Sequence, residues 1–410
     1  MVRSIQLSNL PTGWKHDYLD RFTVRGSGHT PDKEEPSYWN GGIKWVSLTD
    51  SFNLDKGFIF ETDKEISEEG IKNSSAVLHP AGTVILSRDA GVGKSAVLAS
   101  PMAVSQHFMA WRCDNSEKMN SWFLYNWLQV MKPEFERQAV GSTIKTIGLP
   151  YFKKLKIATP PYPEQEKIAS ILSTWDLAVI NVEKLLNNSR QKKRALIQQL
   201  LTGKKRLPGF DSKWSVFSLE EIFEFRKGKG LSKEVLSESG EKCVLYGELY
   251  TKYGEVISRV FSKTFAQEGF ISRSGDILIP SSTTTSGIDL ANATAILEDD
   301  VLLGGDINVL RPIKEIDSCF MAHLLTHIKK HEIASKAQGI TIIHLYAKDL
   351  RKINVYIPTD VSEQNKISSI LATVDDEIQK LQAKLTCLKQ EKKALMQQLL
   401  TGKRRVTVDA

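Results

Sequence analysis

Forty-three consecutive residues occur twice in this chain of 410. Residues 164–206 align on residues 363–405 at a constant offset of 199, with no gap and with 22 identities. Both copies open on Glu-Gln-x-Lys-Ile (Glu164 to Ile168, Glu363 to Ile367). Both close on Gln-Gln-Leu-Leu-Thr-Gly-Lys (198–204 and 397–403). A repeat this long and this regular divides the chain into two half-molecules, each a variable globular part followed by the same helical part.

The apolar positions inside the repeat say what it is. In the second copy Ile367, Leu371, Val374, Ile378, Leu381, Leu385 and Leu388 step by four and three, and Leu395 and Leu399 hold the register past Lys392. In the first copy Ile168, Leu172, Trp175, Val179, Val182 and Leu186 keep the same phase. Leu196 and Leu200 resume it past Ser189 and Lys193. This is an a/d seam of period 3.5 held for about five heptads. Pro163 and then Glu164 suit a helix start. Thr-Gly at 202–203 and 401–402 supplies the stop. Each helix should run about 38 to 40 residues, roughly 60 Å at 1.5 Å per residue. Such lengths do not fit inside a small domain. Two equivalent halves related by a pseudo-two-fold axis would lay the helices antiparallel on each other, as a rigid spacer between two globular domains.

The repeat continues faintly beyond the helices. Leu10-Pro11-Thr12-Gly13-Trp14 with Leu19 and Phe22 matches Leu207-Pro208-Gly209, Trp214, Leu219 and Ile222. Gly141-Ser142-Thr143-Ile144 matches Gly339-Ile340-Thr341-Ile342, and residues 152–157 match 350–355. Between these landmarks the halves diverge almost completely. Short β-type runs fall at 43–48, 83–86 and 96–98, then at 244–246, 276–279, 293–297 and 307–310, with helices predicted at 116–131 and 318–337. The fold class is therefore α+β, two mixed α/β domains joined by two long helices in an antiparallel coiled coil. The expected boundaries are 1–158 and 207–357 for the domains, and 159–206 and 358–410 for the repeat helices and C-terminal tail.

Composition bounds the class. The chain is 41% hydrophobic and 25% charged, as a globular protein is. It contains no run of 18 apolar residues, and residues 1–10 lack the apolar core of a signal peptide. Cys113, Cys243, Cys319 and Cys387 stand singly, which fits a reducing cytoplasm rather than a disulfide framework. A net charge of +7 permits a polyanionic partner without requiring one.

Several motifs suggest chemistry and fall short of it. Ala90-Gly91-Val92-Gly93-Lys94-Ser95 resembles the end of a phosphate-binding P-loop, but the required glycine is replaced by Arg88, and residues 96–98 read as strand, not helix. Thr159-Pro160-Pro161-Tyr162 resembles the Asn-Pro-Pro-Tyr loop of amino-methyltransferases. Threonine is a poor stand-in for the asparagine there, and a proline-rich linker into a helix explains the segment. His323, His327 and His331 have helical spacing, but Leu324 stands where a zinc protease has glutamate; they read as a partly exposed helix face. No Ser/His/Asp or paired-carboxylate set stands out. The chain reads as a non-enzyme, with no cofactor and no metal.

Contact with nucleic acid needs glycine for close backbone approach, hydroxyls and amides for phosphate, and Arg or Lys for charge and guanine edges. Such loops hold Arg25, Ser27, His29 and Thr30, then Arg88 with Lys94, then Ser142, Thr143 and Lys145. In the second half they hold Arg226, Lys227 and Lys229, the run containing Ser282, Thr283 and Thr284, and Thr341 with His344.

Taken together, the duplicated Glu-Gln-x-x-Ile opening, the Gln-Gln-Leu-Leu-Thr-Gly-Lys close and the Leu-Pro-x-Gly-Trp start resemble the specificity subunit of type I restriction–modification enzymes. So do Gly28-His29-Thr30-Pro31, the stretch from Tyr38 to Val46, and Gly141 to Lys145. The second half departs at Gly339 to Ile342 and at Ser362, which stands where the first copy has proline. The resemblance spans nearly the whole chain. It implies two target-recognition domains, each reading one half of a bipartite, asymmetric double-stranded DNA target. It also implies helices that set the gap between half-sites and dock two adenine-methyltransferase subunits, and restriction/translocase subunits that join the complex. Methylation and cleavage would then lie on the partners, in the cytoplasm and away from membranes. A specificity subunit serving a fused methylase–nuclease, and a non-DNA coiled-coil scaffold carrying two ligand-binding domains, remain alternatives at this level.

Overall fold

A computed structural model describes residues 10–114 and 117–408. Residues 1–9, on which the signal-peptide reading mostly falls, and residue 116, the expected start of a helix, lie outside the described residues. The chain splits into two compact units, one formed by Met1–Glu183 with Lys384–Ala410 and the other by Lys184–Ala383. No helix among the described residues is long and apolar enough to cross a membrane.

The repeat forms two helices, Tyr162–Leu200 and Val361–Leu399, of 39 residues each. Each unit contains part of both. In the first unit the two segments run antiparallel: Asp176 pairs with Lys392, and Glu183 with Lys389 at 2.7 Å, so one number rises as the other falls. The second unit repeats the direction. Lys193 Nζ lies 2.7 Å from Asp375 Oδ1, Ser189 Oγ donates to Glu377 Oε1 at 3.1 Å, and Arg190 Nη2 donates to Gln382 Oε1 at 3.1 Å. The residues that interrupt the apolar seam are thus themselves paired across it. The Lys–Asp pair occurs once in each unit, at positions that are equivalent in the repeat.

The first unit is built on a five-stranded sheet in the order Val24–Ser27, Phe108–Arg112, Val84–Ser87, Ser95–Leu98 and Phe58–Ile59. The first three pairings are antiparallel and the last is parallel. Its central strands are apolar at successive positions because both faces are covered. Val84, Leu86, Val97, Met109 and Trp111 pack on the helical side. Ile85, Ala96, Leu98, Phe108 and Ala110 pack on the other, against Val46, Leu54 and Val104. The helical side is closed by Ser121–Gln138. Asn120 caps it, its Oδ1 accepting from the amides of Trp122 and Phe123 at 3.0 Å. The predicted end at 131 is overrun through Pro133 because Phe135, fully buried, anchors one more turn. A three-stranded sheet (Lys64–Ile66, Trp39–Val46, Ala103–Val104) and the ribbon of Lys15–Tyr18 with Lys156–Thr159 complete the unit.

The second unit repeats this plan with different residues. Its central sheet runs Phe223–Lys227, Ile307–Pro312, Asp276–Pro280, Thr294–Ile296 and Val256–Ile257, with the same three antiparallel pairings and the same parallel edge. Alternation again divides two cores, Ile277, Ile279 and Leu310 on the helical side and Leu278, Val309 and Ile307 on the other. The ribbon of Trp214–Ser218 with Asn354–Pro358 matches that of the first unit. The second sheet is larger, with five short strands. The helix predicted at 318–337 is interrupted. Ser318–His323 passes into a π-helical turn at Leu324–Ile328, and Lys330–Ala334 follows. The turn brings the Thr326 hydroxyl to the backbone of Ala293, accepting from its amide and donating to its carbonyl, both at 2.9 Å.

Each unit is closed by a residue from the far end of the other repeat copy. Glu164 is nearly inaccessible, and Arg405 Nε and Nη2 donate to its two oxygens at 2.7 Å each. Glu363 is fully buried, and Arg206 Nε and Nη2 reach it at 2.7 and 2.8 Å. The acid stands in the first turn, as expected of a helix start, and is also one half of a bidentate ion pair. The neighbouring glutamines are equally engaged. Gln165 accepts from the amide of Asn120 at 2.9 Å and donates to the carbonyls of Lys118 and Pro160 at 3.0 Å. Gln364 accepts from Asp317 at 2.9 Å and donates to Pro358 at 2.8 Å. Each glutamine ties the long helix to the end of the ribbon, Pro160 just past it or Pro358 within it, and to the cap of the domain helix.

The seam lysine gives a direct test. Replacing Lys392 by Leu restores the apolar heptad but strands Asp176, which is only partly exposed, and should lower stability by about 1–3 kcal/mol. The double variant Lys392→Leu with Asp176→Ala should recover most of that loss. Urea unfolding of the three proteins measures it, and a single variant as stable as the parent would contradict the pairing.

Candidate nucleic-acid interface

In both units the candidate loops meet at one end of the central sheet. Strands Val24–Ser27 and Val84–Ser87 end where Phe108–Arg112 begins, because both pair with it antiparallel. Gly28 to Thr30, the turn at 88–94, the segment at 105–107 and the loop at 140–146 therefore gather there. Backbone bonds join them. The amide of His29 donates to Val104 at 3.0 Å, that of Arg88 to His107 at 2.9 Å, and that of Ile147 to Arg88 at 3.0 Å. Gly28 is required by this closeness, since a Cβ would lie 1.8 Å from the Val104 carbonyl oxygen.

The second unit has the same connections. Leu345 donates to Ser281 at 2.9 Å, Ser281 to Asp306 at 2.8 Å, and Lys229 to Leu303 at 3.1 Å. A Cβ on Gly228 would lie 1.9 Å from the Gly304 oxygen. Arg88 and Ser281 are thus equivalent in backbone and unlike in side chain. The paired loops at 140–146 and 338–344 are closed by the bridges Val140–Thr146 and Gln338–His344. Their glycines have φ of +126° (Gly141) and +129° (Gly339), a region costly for other residues.

Side chains divide into those aimed outward and those turned in. Ser142, Thr143 and Lys145 are exposed, as are Thr341, Thr284, Lys227 and Lys229. Among the described residues Lys145 and Lys227 have no carboxylate at ion-pair distance. Lys229 lies 3.4 Å from Glu268, both well exposed, and such a pair is weak. Arg25 is held by Asp20 at 3.3 Å, Arg226 pairs with Glu224, and Arg88 sits 3.8 Å from Asp89. Burial raises the Asp20 carboxyl above its ordinary value and Arg25 opposes the rise. Lys94 donates to the carbonyl of Ser51 at 3.2 Å, so its ammonium braces the turn on which it sits. That turn runs from strand to strand, as expected from the sequence, and no helix follows it.

Ser282 and Thr283 differ from the expectation of an open hydroxyl loop. Both are buried, because Ser282 pairs in register with His344 and the Thr283 hydroxyl bonds to that of Thr285 at 2.8 Å. Of these three residues, Thr284 faces solvent. His29 and Thr30 line a cavity of about 700 Å3 with Asp32, Tyr38, Lys72 and Asn73. Arg226, Lys227 and His344 line one of about 730 Å3 with Asn308, Tyr346 and Lys348. Tyr346 stacks on His344 at 6.0 Å, and Lys348 lies over its ring at 5.5 Å. Sequence reasoning missed Tyr346, Lys348 and Lys72. It also missed the exposed Ile144 and Ile340, the latter 98% accessible. Isoleucine in a short glycine-led loop, Gly141 to Ile144 and Gly339 to Ile342, was the available signal.

The arrangement offers hydrogen-bond donors, isolated cations and apolar tips on rigid turns. Burial pushes the Cys113 thiol up to about 12 and those of Cys243 and Cys319 to about 11, so these sulfurs stay protonated.

The family model for the type I restriction modification DNA specificity domain matches twice, over residues 19–189 and 211–390. The chain belongs to this family. Among curated relatives, the MjaIX specificity subunit of a type I restriction enzyme from Methanocaldococcus jannaschii is 23% identical over 98% of this chain and 96% of its own length. The MjaVIII specificity subunit of the same organism is 24% identical over 85% and 83%. The crystal structure of the type I restriction–modification S subunit from Mycoplasma genitalium superposes with a TM-score of 0.62, at 19% identity over 99% of each chain. A chain from a solved type I system superposes at 0.57, with 17% identity over 97% of this chain and all of the other. These likenesses support the fold. The two matched segments each contain one copy of the sheet described above, so the specificity domain is present in duplicate.

The two crowded glycines set a stability prediction. Gly28→Ala and Gly228→Ala should each cost about 1–3 kcal/mol through overpacking against a carbonyl, while Thr143→Ala at the exposed tip should cost almost nothing. Denaturant midpoints distinguish them, and a fully stable Gly28→Ala protein would refute the close approach.

Proposed function

We propose that this chain is the DNA-reading subunit of a type I restriction–modification complex, each specificity domain reading one half of a bipartite, asymmetric double-stranded DNA target. The observation that carries this reading is the shared frame with unlike tips. The two sheets have the same order and directions, while equivalent positions hold Arg88 and Ser281, or Ser142 and Ile340. Backbone held alike places a reading head, and side chains that differ read different bases. Exposed lysines at the sheet ends suit phosphate contact, and the isoleucine tips suit contact with thymine methyl groups.

In this reading the long helices set the gap between half-sites and dock two adenine-methyltransferase subunits, with restriction/translocase subunits completing the assembly. Methylation and cleavage then belong to partners. Leu177 and Ile180 of the first long helix are 62% and 40% exposed, which fits coverage by a partner. The DNA-contact residues proposed are those with exposed or half-exposed side chains: Ser27, His29, Thr30, Ser142, Thr143, Lys145, Arg226, Lys227, Lys229, Thr284, Thr341 and His344. Arg25, Arg88, Lys94, Ser282 and Thr283 then shape the loops.

Mapping methylated adenines in cells with and without the gene tests the function. A split, non-palindromic motif should vanish when the chain is removed, and an unchanged methylome would exclude the reading. Binding to a DNA carrying that motif should weaken for Lys145→Ala and Lys227→Ala. Each should also reduce the slope of log affinity against log salt by about one. Slopes identical to the parent's would remove these lysines from the phosphate contacts.

A further inference from the structure

We propose that Glu255, His323 and His327 form a three-ligand site in the second unit for a divalent transition-metal ion of the zinc type. The sequence reading of the histidines as a partly exposed helix face fails at His323, which is 1% accessible. His331, the third of the series, is exposed and takes no part. The carboxylate comes from a residue far away in sequence, at the start of the edge strand Val256–Ile257. One ligand atom from each of the three side chains lies within 4.8 Å of the others. His327 Nε2 is 2.5 Å from Glu255 Oε1, and the two imidazoles stack with centroids 6.1 Å apart. Nδ1 of His323 is buried and has no hydrogen-bond partner. A buried imidazole nitrogen without a partner costs free energy, and a metal bond would relieve that cost.

The donor chemistry selects the ion. Two imidazoles and one carboxylate are a zinc ligand set that leaves a fourth position for water. Zinc would take the place of the hydrogen between His327 Nε2 and Glu255 Oε1, that proton passing to solvent. The π-helical turn at Leu324–Ile328 starts directly after His323 and contains His327, and such turns recur at functional sites. The competing cation is Lys193, whose Nζ is 3.2 Å from Glu255. It is also 2.7 Å from Asp375, so it keeps a partner when Glu255 turns to a metal. The first unit shows the contrast. There Asp55, ahead of the matching edge strand, binds Lys132 at 2.6 Å and Gln129 at 2.7 Å. A lysine cannot serve as a ligand while charged, so the first unit has a plain ion pair where the second has imidazoles.

The test uses the full chain stripped with a chelator and titrated with Co2+ alone, then with Zn2+ in competition. The expected result is ligand-field absorption that saturates at one ion per chain and is abolished by zinc. His323→Ala with His327→Asn should weaken binding at least tenfold, and Lys132→Met should leave it unchanged. Absence of that absorption in the parent chain would overturn the site and leave the cluster a hydrogen-bonded pin between helix and sheet. An equal signal in the double variant would also overturn it, by assigning the ion to surface histidines. Should the double variant fail to fold, protection of His327 from diethyl pyrocarbonate by zinc in the parent decides. Protection supports the site, and unchanged labelling refutes it.

Discussion

A carboxylate buried at the first turn of each long helix governs how this protein is assembled. Glu164 and Glu363 lie out of water, where an unpaired charge costs several kcal/mol, and neither finds its cation in its own copy of the repeat. The guanidinium comes from the end of the other copy, Arg405 for Glu164 and Arg206 for Glu363. The apolar cores follow the same exchange. Leu399 and Leu400 fill the first unit's core, and Ile197, Leu200 and Leu201 fill the second's. Neither core is complete without the helix that begins in the other half of the sequence.

This exchange explains why the repeat is long and ungapped. The heptad seam, the Lys–Asp pairs within it and the terminal ion pairs must all come into register at once. A single inserted residue rotates the remaining helix by about 100° and breaks every later pair. The glutamine beside each buried acid extends the constraint into the globular part, binding both an end of the ribbon and a helix cap. Residues that look like ordinary surface polar positions in the sequence are thus fixed by hydrogen bonds in the interior.

Much of the architecture was legible because it rests on periodicity. The two helices emerge with the expected phase and nearly the expected length, and the apolar runs at 83–86, 96–98, 276–279 and 307–310 are strands within a residue or so. The identity of the two sheet topologies was not legible, since strand order depends on pairings across long sequence separations that the diverged halves write in different residues. The broken helix at 318–337 escaped for a related reason: its apolar spacing is helical, but Thr326 and His327 are drawn out of phase by Ala293 and Glu255. At the sheet ends, glycine and hydroxyl content picked out loops that the fold gathers together, without saying which side chains face outward. Thr283 and Thr284 are adjacent and alike, and only the strand register turns one in and the other out.

The sheet-end loops are joined to one another chiefly through backbone amides and carbonyls. Ile147 to Arg88 and Leu345 to Ser281 are the same bond made over different side chains. The crowded Gly28 and Gly228 and the buried Ile147 and Leu345 are held to their residue type. At Arg88 and Ser281 the bond does not depend on the side chain, as an arginine in one unit and a serine in the other illustrate. Substitutions there can accumulate without eroding the fold that presents them. A lineage of such proteins can explore new surface chemistry one residue at a time, with every intermediate still folded.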